Sequence, residues 1–433
     1  MTFDEAHKYL MATYGPGKKK GLDAMKQALA LLGDPQKELK IIHVAGTNGK
    51  GSLCAMLGSV LVSAGYRAGC FTSPHLQTIH ERFAINNRMI TDDDFARHLA
   101  GIAGVSRQLF GPDDTFSYFE VLTLMAFTYF CEQDVDVLLL EVGIGGRLDA
   151  TNVIDAPVLS VIMSIGMDHM EILGDNIQDI AREKAGIIKE NCPVVLYDDQ
   201  QVVYTVMEDI AATKNSKIYR AADVAVDVLE ASAKSTKFLT TGEYFGGICI
   251  ELNLMGQYQL ENARCAIAAA AALNDAGFNI GAEDLKEGLA GVKWPGRMEI
   301  VAENPMVILE GAHNLQGAVA AARNMHSLFG GKDITLVMGI LNDKEYTEIV
   351  KTLAGPAAKV VFTKPIYDFR AVQPTELARA LGKTDKEVHV IENCKAAMAK
   401  AIEITGADGV VFCSGSLYLV GDIRDLYKGG LLI

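Results

Sequence analysis

The stretch His43-Val44-Ala45-Gly46-Thr47-Asn48-Gly49-Lys50-Gly51-Ser52 decides how the rest of this 433-residue chain is read. It follows an apolar run (Ile41, Ile42, Val44) that reads as a buried strand, and it precedes a helix-like segment from Leu53 to Ala64. A strand, a glycine-rich turn and a helix N-terminus make a phosphate cradle, because backbone N–H groups and the helix dipole face an anion there. Gly46, Gly49 and Gly51 let the backbone approach closely, with Thr47 and Asn48 between them. Lys50 supplies positive charge, and Ser52 a hydroxyl for magnesium. Two positions depart from the general G-x-x-x-x-G-K-[ST] pattern. Val44 replaces the first glycine, and Gly51 separates Lys50 from Ser52. Such a turn can be only a turn, but its flanking strand and helix point to a nucleoside triphosphate.

Bulk properties narrow the class. The length favours two domains, and 49% apolar with 22% charged residues fits an ordinary globular protein. A formal net charge of −14 argues against nucleic acid and anionic membranes, which need clustered Lys and Arg. The eight cysteines include no C-x-x-C pair, and Cys54 and Cys413 sit inside apolar runs, as reduced buried thiols do. Asp4, Glu5 and His7 make the N-terminus unlike a signal peptide. No apolar run approaches the ~20 residues of a membrane span. The expectation is a cytoplasmic protein.

Strand and helix patterns alternate along most of the chain, which predicts α/β architecture with largely parallel sheets. Strands are expected at 66–71, 135–142, 158–165 and 194–197, and helices at 92–110, 119–132, 177–189 and 260–276. Between about 218 and 254 the segments shorten and alternate, like an antiparallel ribbon. Trp294-Pro295-Gly296-Arg297 breaks the pattern and reads as a hinge. The predicted domains are therefore 1–295 and 296–433. The second carries its own alternation, with strands near 306–309, 335–338, 359–362, 387–391 and 409–413.

Ligands of open α/β sheets collect at the carboxyl ends of strands. There the sequence places Thr72, Ser73, Pro74 and His75; then Glu141 with Gly143-Ile144-Gly145-Gly146; then Asp168, His169 and Glu171. Ser52 or Ser73 with Glu141 suits magnesium, which prefers oxygen ligands. His169 reads equally as a capping residue, and Glu141 as an acceptor for the following turn. Lys184, in Arg182-Glu183-Lys184-Ala185, reads by itself as a solvated helix position. In the second domain Glu310-Gly311-Ala312-His313-Asn314 follows a strand and opens a helix, with Asn314 readable as its N-cap.

Several of these motifs come in one familiar order: Gly46–Ser52, Thr72–Leu76, Leu139–Asn152, Asp168–His169, Arg182–Gly186, Asn262, Pro295–Arg297 and Gly311–Asn314. In that order the chain resembles the folylpolyglutamate synthase and dihydrofolate synthase family of the Mur ligase superfamily, from about Gly21 onward. The resemblance implies a P-loop-type ATPase domain followed by a smaller Rossmann-like ligase domain. It implies an ATP-dependent ligase adding L-glutamate to dihydropteroate, to reduced folates, or to both, through an acyl phosphate. Lys50 and the loop amides would hold the β- and γ-phosphates. Ser73 and Glu141 would bind one Mg2+, and Glu141 with His169 a second. Lys184 matches a lysine that the family can carry as a carbamate. Asn262, Arg297 and the residue at 310 match nucleotide contacts, and His313 matches a residue near the phosphates. Ser117 and Phe119, with Leu148, Asp149, Ala150 and Thr151, correspond to the pterin side.

This chain departs from the family in having Glu310 where aspartate is usual. The resemblance also implies a monomer, and closure of the two domains over ATP. The runner-up is a monofunctional folylpolyglutamate synthase. Another Mur-type amide ligase, or a nucleotide switch that keeps the Lys50 loop without the other groups, stands further off.

Overall fold

The apolar run around residues 135–142 becomes Val137–Glu141, a strand whose five residues are all buried. Covered on both faces, its valine and three leucines each contribute roughly 1.5–3 kcal/mol of burial. It is one of eight strands in the first sheet of the computed structural model: Ile41–Ala45 (β1), Ala68–Phe71 (β2), Phe83–Ile85 (β3), Arg88–Met89 (β4), Val137–Glu141 (β5), Leu159–Ile162 (β6), Val194–Leu196 (β7) and Ile218–Arg220 (β8). The structure describes residues 1–15, 19–197, 200–366 and 370–429. The last residues of the predicted 296–433 domain thus lie outside the described ones.

The strand order is β4-β3-β2-β5-β1-β6-β7-β8. β2, β5, β1, β6, β7 and β8 run parallel, and only β3 and β4 are antiparallel additions. In that order β1 lies between β5 and β6, so the chain moves to opposite sides of β1 as it continues. Open sheets bind ligands outside such a reversal. The carboxyl ends of β2, β5, β1 and β6 therefore adjoin, and they deliver Ser73, Glu141, the Gly46–Ser52 loop and Met163 to one rim.

Three further strands, Val226–Ala231 (β9), Thr236–Thr240 (β10) and Cys249–Leu252 (β11), pair in chain order as the expected ribbon. A six-stranded sheet follows: Glu299–Glu303 (β12), Met306–Leu309 (β13), Ile334–Met338 (β14), Lys359–Phe362 (β15), Glu387–Val390 (β16) and Val410–Ser414 (β17), in the order β12-β13-β17-β14-β15-β16. β12 pairs antiparallel with β13 and the other pairs are parallel. The second sheet is thus mixed rather than purely parallel.

The chain packs as two units. One comprises 1–228, 238–251 and 261–292, and the other 229–237, 252–260 and 293–433. Each has its own apolar core. Phe71, Phe83, Phe95, Phe127 and Phe130 lie in the first, and Ile308, Leu336, Phe362 and Phe412 in the second. No helix among the described residues is long and apolar enough to cross a membrane.

Candidate active site

The helix after the loop runs from Lys50 to Ser63, three residues earlier than the apolar pattern indicates. The pattern misses this turn because Lys50, Gly51 and Ser52 carry no apolar side chain to mark it. The N-cap is Gly49 at φ +86°, and no side chain caps the first turn. Its N–H groups are left for a bound anion. A Cβ on Gly49 would lie 2.6 Å from Asn262 Oδ1, so only glycine lets the buried Asn262 pack against the loop. Thr47 anchors the other side. Its N–H donates to Ser164 O at 2.8 Å, and its hydroxyl exchanges hydrogen bonds with Gly166.

Two ammonium groups converge on one carbonyl. Lys50 Nζ donates to Gly46 O at 3.0 Å and to Thr47 O at 3.2 Å. Lys184 Nζ donates to the same Gly46 O at 2.9 Å. Glu141 balances them: its Oε1 lies 3.9 Å from Lys50 Nζ, and its Oε2 accepts from the Ser73 N–H at 2.9 Å. The buried Ser52 lies in the first helical turn.

Lys184 corrects the reading of a solvated position, since the residue is only 4% exposed. Burial, with the charge of Lys50 adding to it, pushes the amine down to about 7, and Asp168 and Asp149 pull the other way. The cause lies in the chain around it. The Arg147 N–H donates to Glu183 O at 2.8 Å, and Asn152 Nδ2 donates to Arg147 O and Gly186 O. These bonds press the glycine turn onto the end of helix Ile177–Ala185. A Cβ on Gly146 would lie 2.7 Å from Glu183 O and 2.8 Å from Lys184 O. Neither backbone atom can swing away, so Gly146→Ala is expected to destabilise the protein by about 2–3 kcal/mol. Thermal unfolding should show a Tm lower by roughly 5 °C. An unchanged Tm would mean that this packing is looser than described.

His169 precedes helix Met170–Leu173 as its N-cap at φ +52°, but its side chain makes no capping bond. Its Nε2 lies 4.0 Å from Asp168 Oδ1, and Asp168 Oδ1 accepts from the His169 N–H at 2.9 Å.

Phe119 and Asp149 flank Gly143: a Cβ there would meet the Phe119 ring at 2.6 Å and Asp149 Oδ2 at 3.1 Å. Asp149 accepts from the Ile144 N–H, the Thr151 N–H and the Thr151 hydroxyl. Thr151 in turn bonds His43 Nε2 at 2.8 Å, inside the sheet. Burial pushes the Asp149 carboxyl up and holds His43 neutral, with its pKa down to about 3. Ala150 is buried, whereas Leu148 is 50% exposed and its carbonyl accepts from Lys19 Nζ at 2.9 Å.

Glu120 escaped the sequence reading. Its buried carboxylate accepts from the N–H groups of Lys20, Gly21 and Ser117 and from the Ser117 hydroxyl. The signal was available as capping-box spacing, Ser117-x-x-Glu120, at the head of a helix. Met163, against the loop glycines, carries no such signal.

In the second unit Arg297, Glu310 and His313 gather around Gly311. A Cβ on Gly311 would collide with the Arg297 guanidinium, and His313 Nδ1 donates to Gly311 O at 2.8 Å. Asn314 caps helix Leu315–Phe329 by accepting from the Gly317 N–H at 2.8 Å. Glu310 is buried, and its Oε2 accepts from the Tyr258 hydroxyl at 2.6 Å and the Met298 N–H at 3.1 Å.

The Mur ligase middle domain matches residues 44–270, and the Mur ligase glutamate ligase domain matches residues 296–417. A dihydrofolate synthase/folylpolyglutamate synthase of Bacillus subtilis is 36% identical over 98% of this chain and 99% of its own length. The chain belongs to the folylpolyglutamate synthase/dihydrofolate synthase family. Solved structures of that family superimpose over nearly the whole length. A Mycobacterium tuberculosis folylpolyglutamate synthase complexed with ADP and AMPPCP matches with a TM-score of 0.85 and 31% identity, covering 94% of this chain and 95% of that one. Escherichia coli FolC in complex with DHPP and ADP gives 0.86 and 28%, covering 100% and 99%. Such family members share the α/β layout described above, with a large, mostly parallel sheet and a second, mixed one.

Proposed function

We propose that this chain uses ATP to join L-glutamate to the carboxylate of dihydropteroate, of a reduced folate, or of both. The observation that carries the reading is the Gly46 carbonyl shared by Lys50 and Lys184, with Glu141 alongside, in a chain that belongs end to end to this ligase family. A carboxylate is a poor electrophile, and bringing it to a polyanion requires concentrated positive charge. In the first step a carboxylate oxygen bonds to the γ-phosphorus. The bond to the β–γ bridging oxygen breaks, and ADP leaves with the electron pair. The glutamate amine then attacks the acyl-phosphate carbon, phosphate departs, and the new amide nitrogen loses a proton.

Lys50 and the loop N–H groups suit the β- and γ-phosphates, and Asn262 suits an edge of the nucleotide. Arg297 and His313 are assigned to nucleotide and acyl phosphate. Ser117, Phe119 and 148–151 are assigned to the pteridine. Among the described residues no three or more His, Cys, Asp or Glu side chains converge as a metal cage. That fits magnesium, which usually keeps waters and phosphate oxygens in its shell and takes few protein ligands. Ser73 and Glu141, and Glu141 with His169, would hold two such ions. When bound they would neutralise phosphate charge.

The Lys184 amine, with its pKa near 7, is available in neutral form near physiological pH. Its lone pair can form a bond to carbon dioxide, and the nitrogen releases one proton. The resulting carbamate anion suits the side chain's place beside Lys50. We read the protein as a monomeric cytoplasmic enzyme.

The deciding measurement is ADP release and product mass over a panel of dihydropteroate and tetrahydrofolate, each with and without glutamate. Turnover is expected only when a pteridine acid and glutamate are both present. A response to tetrahydrofolate alone of the two acids would select the monofunctional enzyme. Robust ATP hydrolysis without either acid would overturn the ligase reading in favour of a nucleotide switch.

A further inference from the structure

Arg297 projects from an unusual turn. Gly296 lies at φ +71° and Met298 at φ +49°, so a methionine occupies the left-handed region that side chains disfavour. Such a conformation persists only where its surroundings fix it. Two carboxylates do so. Glu299 Oε2 accepts from the Gly296 N–H at 2.8 Å, and both Glu299 oxygens accept from Arg424 Nε at 2.9 Å. Glu310 holds the other end through the Met298 N–H at 3.1 Å. The Gly311 N–H closes the frame by donating to Gly296 O at 2.8 Å.

Glu310 is 3% exposed, and three donors already engage it: the Met298 N–H, the Tyr258 hydroxyl and the Ala312 N–H. An ionised carboxylate only accepts, so Tyr258 must donate, and its 2.6 Å separation is that of a strong charge-assisted bond. The Met298 N–H and the Tyr258 hydroxyl meet on one oxygen of Glu310, Oε2, so this single acceptor ties the turn to Tyr258.

We propose that Glu310 is a positioning residue for Arg297: with Tyr258 it fixes the Pro295–Met298 turn so that the guanidinium lies over Gly311. The inference rests on the reading that Arg297 contacts ATP. It makes Tyr258 a functional partner in the second unit, where the motif order points only to positions 297, 310 and 313.

The experiment compares Tyr258→Phe, Glu310→Asp, the double variant and Arg297→Ala in the full-length protein. It measures kcat, the KM for ATP, the KM for the pteridine acid and Tm. Tyr258→Phe and Glu310→Asp are each expected to raise the ATP KM by about 3- to 10-fold with the pteridine KM nearly unchanged. The double variant should be no worse than the more impaired single, because both cut one connection. An ATP KM unchanged in Tyr258→Phe but raised in Arg297→Ala would overturn the positioning role alone, even if Tm fell. An ATP KM unchanged in Arg297→Ala would overturn the nucleotide reading, and the inference with it. Multiplying effects in the double variant would also reject it.

Discussion

Lys50→Ala is expected to lower the rate of ATP-driven ligation by at least about a thousand-fold while leaving a folded protein. The side chain supplies the loop's point charge, aimed by two backbone carbonyls at 3.0 and 3.2 Å and by Glu141 at 3.9 Å. Alanine removes that charge from the place where the γ-phosphoryl group becomes most negative. The fold should survive because Gly46 O retains Lys184 as a donor and Glu141 retains the Ser73 N–H. A modest fall in Tm is expected from leaving Glu141 without its cation. Circular dichroism and a Tm scan establish folding, and ADP release establishes the loss. Near-normal turnover in a folded variant would remove the loop from the chemistry.

Lys184→Met should do two opposite things: abolish ligation and stabilise the fold near neutral pH. In the native chain the amine titrates at about 7, against an ordinary value of 10.5. Between those values the unfolded chain holds a proton that the native state has released. Native stability therefore rises with pH across this window, and the full cost of the buried amine is felt below it. At pH 7.5 most of that cost remains, about 4 kcal/mol, because each tenfold change in proton concentration up to pH 10.5 is worth roughly 1.4 kcal/mol. Methionine fills a similar volume without the charge, so the variant's Tm should exceed the native one at pH 7.5. The difference should shrink towards pH 10. The charges that bear on Lys184 are Lys50, Asp168 and Asp149, and none is altered. The scans belong in carbonate-free buffer, because a carbamate would replace the amine. In 13C-labelled bicarbonate a carbamate resonance is expected from the native protein and not from the variant. A variant with lower Tm at pH 7.5, or an active one, would refute this account of Lys184.

Much of the architecture was legible in the sequence because burial on both faces leaves unbroken apolar runs. β5, β6 and five strands of the second sheet, β13 to β17, are found within a few residues of their expected limits, whereas the antiparallel edge strand β12 was not expected. Helix Asp92–Phe110 coincides with its predicted span, marked by Thr91 as N-cap and Gly111 after its last turn. Less was legible where an element lacks an apolar face of its own. The first turn of helix Lys50–Ser63 is one case. The antiparallel pair β3 and β4 was missed because strands of three and two residues are too short to show a period. Tyr258 was missed for a different reason: its partner Glu310 lies 52 residues away. Glu120 carried a local mark in the Ser117 capping box, but its bonds to Lys20 and Gly21 cross 100 and 99 residues.

By itself the sequence determined the α/β alternation, the anion-binding loop with its lysine, and the order of motifs that marks the ligase family. These follow from local periodicity, from glycine placement and from residue identity, all carried by neighbours along the chain. Only the tertiary structure decided that Lys184 is buried and shares a carbonyl with Lys50, or that the Glu310 carboxylate turns inward to Tyr258 and Met298. The surroundings of a side chain are set by which distant segments pack on it. A lysine among charged helix neighbours looks solvated until Gly146 brings a turn against its backbone.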